Sequence, residues 1–146
     1  MKYREDLLFE KAFPVIRRVH RIPKDAKIQF HRRIRGLECD VFITWRSKSI
    51  FPIKSILVEL KEIDFLKMVD QLVRRREFAL WAYGVINLPV HTIVEIMLNP
   101  KYELHEKIYG NGIGLISVFE DNPVLVIRSR VKGNVIAKYL EWGVCP

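Results

Sequence analysis

Three stretches of the chain, Lys27–Ile34, residues 37–43 and residues 55–61, alternate apolar and polar positions and are rich in Val, Ile and Phe. That period of two is the mark of β-strands whose side chains point to opposite faces in turn. The residues before them repeat differently. Residues 3–19 place Leu8, Phe9, Ala12, Ile16 and Val19 on one side of a helix, with Pro14 expected to kink it. After the third strand, Asp64 is placed to cap a helix whose buried stripe is Phe65, Met68, Val69, Leu72 and Val73. Residues 78–86 read as a buried strand and residues 89–98 as a short helix. Beyond a charged connection, residues 112–119 and Val124–Ile127 read as a hairpin around Glu120-Asp121-Asn122-Pro123. Residues 131–142 suit a final helix, with Tyr139, Leu140 and Trp142 packed on the core or on a second subunit. The order helix, three strands, helix, strand predicts a single α/β domain over residues 1–146, built on a central mixed sheet with an αβββαβ core.

The alternation puts acids where core residues belong. Glu38 and Asp40 share a face with Phe42, and Glu59 and Lys61 share one with Leu57. If the second and third strands form a hairpin centred between Ser49 and Ile50, Asp40 faces Glu59 and Glu38 faces Lys61. Directly opposed side chains in an antiparallel pair have Cβ atoms roughly 4.5–5.5 Å apart. Two carboxylates that close repel unless a positive charge lies between them, and a divalent cation with hard oxygen ligands would resolve the conflict. Mg2+, or Mn2+ in its place, suits one or two carboxylates completed by water and substrate phosphate. Lys61 adds an ammonium that can stabilise negative charge developing on a phosphodiester.

Asp40 followed by Glu59-Leu60-Lys61 on the next strand resembles the PD-(D/E)xK nuclease superfamily, whose restriction-endonuclease-like fold is shared by archaeal Holliday-junction resolvases, restriction enzymes and repair nucleases. The element order is similar over nearly the whole chain; Cys39 stands where the motif has proline. The resemblance implies that Asp40 and Glu59 bind metal, that the main-chain carbonyl of Leu60 completes the site, and that Lys61 orients or activates the attacking water. It also makes Glu5 of the first helix a candidate extra ligand, against the alternative of an exposed first turn, with Asp6 and Glu10 on the polar side. In one branch of the superfamily a glutamine on the second helix, followed four residues later by tyrosine, lines the site. Gln71 fits the first position, and Arg75 replaces the tyrosine.

Composition narrows the partners. The 146 residues are 49% hydrophobic, enough for one core without disulfide or metal staples. The net charge is +8, and residues 1–48 hold 13 Lys or Arg against 6 acids, a net +7. Such a surplus, with Arg33, Arg35, Arg46 and Lys48 near the strand ends, is the footprint of a phosphate-backbone binder. The turn around residues 45–52 interleaves bases with aromatics, which suits either nucleic-acid contact or rings that pack at home. Arg74-Arg75-Arg76 serves either nucleic acid or the macrodipole of its helix.

Other chemistries are excluded. Cys39 and Cys145 are far apart, and His20, His31, His91 and His105 lack ligand spacing with them, so a disulfide framework and a zinc cluster are out and the histidines read as solvent-facing. No apolar run reaches transmembrane length and residues 1–6 do not open a signal peptide, which gives a cytoplasmic expectation with no membrane partner. Gly110-x-Gly112-x-Gly114 leads into a strand instead of opening a helix, so no nucleotide cofactor is expected and the glycines should serve a turn and a close backbone approach. Scarce Gln and Thr, two of each, point to a thermophilic source. The leading expectation is a metal-dependent endonuclease acting on DNA as a homodimer. A non-catalytic nucleic-acid-binding or assembly module, and a structural protein with a basic face, are the rivals.

Overall fold

In the computed structural model of the protein, which describes residues 5–48 and 52–132, the elements follow in the order α1 (Asp6–His20), β1 (Lys27–Ile34), β2 (Leu37–Arg46), β3 (Ile53–Lys61), α2 (Phe65–Arg75), β4 (Trp81–Ile86), α3 (Val90–Leu98), α4 (Leu104–Gly110), β5 (Ile113–Ser117) and β6 (Val124–Ile127). The six strands form one sheet in sequence order. β1, β2 and β3 are antiparallel neighbours, β4 and β5 continue in parallel with β3, and β6 closes the edge antiparallel to β5. The α/β class, the mixed sheet and the six-element core order are therefore those expected. The final helix and its Tyr139, Leu140 and Trp142 lie outside the described residues.

Each face of the sheet is covered by helix, which explains why its central strands are apolar on both sides. Leu8, Phe9, Ala12, Val15 and Ile16 of α1 pack on Val41, Ile43, Ile56, Val58, Leu60 and Val85. On the other face Met68, Val69 and Leu72 of α2, Ile93 of α3 and Ile108 of α4 meet Phe42, Leu57, Ala82 and Leu115. Asp64 caps α2 by accepting the Lys67 amide at 3.1 Å. α2 lies so close to β4 that a Cβ at Gly84 would stand 2.6 Å from Met68 Cε.

Several local readings are corrected. The charged connection after α3 contains α4, which ends at the glycine turn; there Gly112 has φ +62° and Gly114 lies against the Tyr83 ring. Arg76 is 1% exposed and donates to the carbonyls of Ala79, Leu80, Asn111 and Arg130, so it faces neither nucleic acid nor helix dipole. Burial lowers its pKa to about 10, and the four carbonyls supply the partners a buried guanidinium needs. Trp45 is buried and stacks on Trp81 with centroids 6.3 Å apart, so its ring packs at home. His20 and His31 are not solvent-facing. His20 Nε2 lies 2.7 Å from the Tyr83 hydroxyl, and burial, aided by Arg128 and Lys54, lowers its pKa to about 4.

Candidate active site

The hairpin register is the expected one. Val41 pairs with Val58, Phe42 with Leu57 and Arg46 with Ile53. The β2–β3 ladder stops at Val41–Val58. Beyond it residues 37–39 of β2 pair only with β1, and residues 59–61 of β3 only with β4. The two strands thus part just where the acids begin. Glu38 does not face Lys61 as expected, but pairs with Arg33 of β1.

Strict alternation also fails by one residue. Cys39 joins Phe42 and Leu57 on the α2 side, although strict alternation would group it with Val41 and Ile43 on the α1 side. The break falls where His31 takes φ 54° and the His31–Asp40 pair drops out of the β1–β2 ladder. A left-handed residue in a strand rotates the chain locally, as a bulge does. Asp40 therefore turns toward the α1 side, lining a cleft of about 330 Å³ with Glu5, Asp6, His31 and Glu38. Glu59 stays on the α2 side, 1% exposed, with Oε1 3.3 Å from Arg75 Nε.

The two carboxyl groups meet at the opening between the strands instead of side by side on one face. Asp40 Oδ2 accepts the Leu60 amide at 2.8 Å, and Glu59 Oε2 accepts the Asp40 amide at 3.4 Å. Backbone N–H and C=O groups of one strand residue point to the same edge. The Leu60 carbonyl is accordingly aimed at the Asp40 side, while the Lys61 carbonyl accepts from Asn87 at 3.2 Å on the other. Burial and the neighbouring Asp40 carboxylate, which is within hydrogen-bonding reach, raise the Glu59 pKa to about 9, with Arg75 opposing. Glu59 holds a proton at neutral pH in this arrangement.

The rim ties α1 to the sheet. Glu5 Oε2 accepts the Glu62 amide at 3.3 Å, which places it at the cleft and not in a frayed turn. Asp6 is buried, contrary to its expected polar side, and its Oδ2 lies 3.0 Å from His31 Nε2. His31 Nδ1 lies 3.4 Å from Glu38 Oε2, and the hydrogen bond to Asp6 is the leading cause that raises its pKa. Sequence reading passed over both Asp6 and His31. The signal available was a histidine opposite Asp40 in the β1–β2 register.

The remaining expected residues divide between the site and the far end of the hairpin. Lys61 is half-buried two residues beyond Glu59. Gln71 is half-buried with a side-chain oxygen that lacks a hydrogen bond. Arg75 is committed to Glu59 and to the Glu38 carbonyl at 2.9 Å, not to the surface. Arg33 and Arg35 are exposed at the cleft end of β1. Arg46 and Lys48 are exposed at the opposite end of the hairpin. Six residues of strand put Arg46 about 20 Å from Asp40, so Arg46 does not border this site.

Asp40, Glu59 and the Leu60 carbonyl are hard oxygen donors, and buried Glu59 Oε1 makes no hydrogen bond beyond its 3.3 Å ion-pair contact with Arg75. They suit Mg2+ or Mn2+. Among the described residues no three His, Cys, Asp or Glu side chains form a metal cage. The set instead matches the open shell of Mg2+, in which water and substrate phosphate complete the coordination. The cleft beside Asp40, about 330 Å³, leaves room for a hydrated cation and a phosphate group. Comparison of the chain with protein-family models, with curated proteins and with solved structures finds no match.

Proposed function

We propose that the protein is a metal-dependent endonuclease of the restriction-endonuclease-like fold that hydrolyses DNA phosphodiester bonds. The observation that carries this reading is the parting of β2 from β3 at Val41–Val58, which brings two carboxyl groups and a backbone carbonyl to one opening. The core order of α1, β1, β2, β3, α2 and β4 supports the fold assignment. A divalent cation held by Asp40, Glu59 and the Leu60 carbonyl would supply Lewis-acid polarisation of the phosphate and a more acidic water. Asp40 is held ready by the Leu60 amide, so its orientation does not depend on ligand. Glu59 surrenders its proton when it becomes a ligand. Lys61 offers an ammonium to the charge that develops on the phosphate, and Glu5 and Glu38 flank the opening as further oxygen donors.

One observation favours a second reading, a non-catalytic nucleic-acid-binding or assembly protein that keeps the fold. Arg75 already stands against Glu59 and provides a built-in positive charge. The two readings part on metal. The nuclease reading expects Mg2+- or Mn2+-dependent cleavage in an assay across branched, duplex and single-stranded DNA, abolished by Asp40→Ala or Glu59→Ala while DNA binding persists. Binding without cleavage on every substrate, in either metal, would instead establish the second.

A further inference from the structure

The charge of the protein is collected at the end of the molecule remote from the acidic cleft. Residues 17–27 and 46–54 contain eight Lys or Arg against the single acid Asp25, a net +7 of the chain's +8. The remaining residues are nearly balanced. The fold brings residues 17–27, 46–48 and 52–54 to the same end, because α1 runs from the cleft at Glu5 to its last residue His20 beside Trp81, the first residue of β4. Trp81 in turn stacks on Trp45, and the Lys54 ammonium lies 5.5 Å from the Trp81 ring centre. Arg17, Arg18 and Arg21 surround one hollow of this end, while Lys27 and Arg46 line another beside Trp45. The cleft end carries Glu5, Asp6, Glu38, Asp40 and Glu59 against Arg33, Arg35, Lys61 and Arg75, so its charges nearly balance.

We propose that this basic end is a separate binding surface for the phosphate backbone of double-stranded nucleic acid, acting without metal and without base recognition. Two features select that partner. The tryptophans here are spoken for by each other, by His20 and by Lys54, so they do not offer the free ring faces on which single strands stack their bases. Among the described residues the large exposed apolar side chains of this end reduce to Ile28, which leaves nothing to anchor in a lipid surface. Charge alone remains, and a polyphosphate backbone is the partner that rewards charge alone. The separation from Asp40, about 20 Å along β2, corresponds to about six base pairs of duplex at 3.4 Å each.

The surface does not rest on the nuclease reading, and the test keeps the two apart. Affinity for a fluorescein-labelled 20-base-pair duplex is measured by anisotropy in EDTA, as a function of KCl, for the whole protein and two variants matched in net charge. Arg18→Gln/Arg46→Gln/Lys48→Gln empties the proposed surface. Lys67→Gln/Lys101→Gln/Lys107→Gln removes three exposed charges from a hollow beside α2 and α4. The expected result is roughly 10-fold or greater weakening in the first variant, with its salt slope flatter by about 2 to 3, since each lost phosphate contact removes about 0.9 from the slope. The second variant should bind like wild type. Equal weakening in both variants, tighter binding to the single strand than to the duplex, or tighter binding to phosphatidylserine vesicles would overturn the proposal. A failure here leaves metal-dependent cleavage untouched, and loss of cleavage in the Asp40 and Glu59 variants leaves this surface untouched.

Discussion

Arg75 stands 3.3 Å from Glu59 with the same nitrogen that donates to the Glu38 carbonyl at 2.9 Å. One side chain from α2 thereby fastens the two strands that part above it. Its own helix holds it in place through Nη1 and the Gln71 carbonyl at 3.2 Å. Because Glu59 carries its proton near neutral pH, the pair becomes a full ion pair only when Glu59 ionises. Arg75→Met should therefore cost about 1–3 kcal/mol at pH 6, where hydrogen bonding and packing are lost. The loss should grow toward pH 9, where a buried charge is left unpaired. Urea denaturation of both proteins at the two pH values measures this, and a cost that shrinks with rising pH would contradict it.

The proton on Glu59 also gives metal binding a signature. Its folded pKa is raised from 4.5 to about 9, so its contribution to stability is present below pH 4.5 and declines as pH rises toward 9. A cation that binds the carboxylate must expel the proton. Titration calorimetry with Mg2+ or Mn2+ at pH 7, repeated in buffers of different ionisation enthalpy, should show close to one proton released per ion. Glu59→Gln should release none and should flatten the stability profile between pH 5 and pH 9. Binding with no proton release would place the ion elsewhere.

The strand register was legible because it follows from alternation and turn position alone, and α2 was legible because its cap and its apolar stripe are both local. What failed depends on contacts that alternation does not encode. Asp40 leaves its expected face where His31, on the neighbouring strand, takes a positive φ and stands between Asp6 and Glu38. Arg76 looks like a surface base in a run of three, but the carbonyls that enclose it come from segments up to 54 residues away. The candidate carboxylates, and Arg75 at a site-lining position of the second helix, were thus visible in the sequence, while the approach of the carboxylates from opposite sides of the sheet and the pairing of Arg75 with Glu59 were not.

His31 lies between two carboxylates, with one ring nitrogen toward each. Both nitrogens can donate only in the imidazolium form, which is why its pKa is raised, chiefly by the Asp6 hydrogen bond. A raised folded pKa means that the stabilisation is fully present below the ordinary value near 6.5 and is lost as pH rises through the folded value. His31→Gln should then destabilise the protein by about 1 kcal/mol near pH 5.5, the scale of one ordinary net hydrogen bond, since the ring is partly exposed and its charge is screened. The difference should narrow by pH 8.5. Thermal melts of variant and wild type across that range test it, and a gap that widens with pH would assign His31 as neutral.

Lys61 is the residue whose role the proposed chemistry defines most sharply. It follows Glu59 by two positions on β3, half-buried, with its main chain fixed by the Asn87 amide. Its contribution grows as the attacked phosphate gathers negative charge, so its removal should lower kcat more than it raises KM. Loss of one preorganised donor at a reacting centre costs on the order of 100- to 1000-fold in kcat. Lys61→Met keeps the length and apolar stem of the side chain and should leave both Mg2+ affinity and melting temperature close to wild type. Single-turnover cleavage with saturating Mg2+ reads the chemical step directly. A rate within a few-fold of wild type would remove Lys61 from the mechanism, while a lost rate together with lost Mg2+ affinity would show that it acts by holding the carboxylates in place.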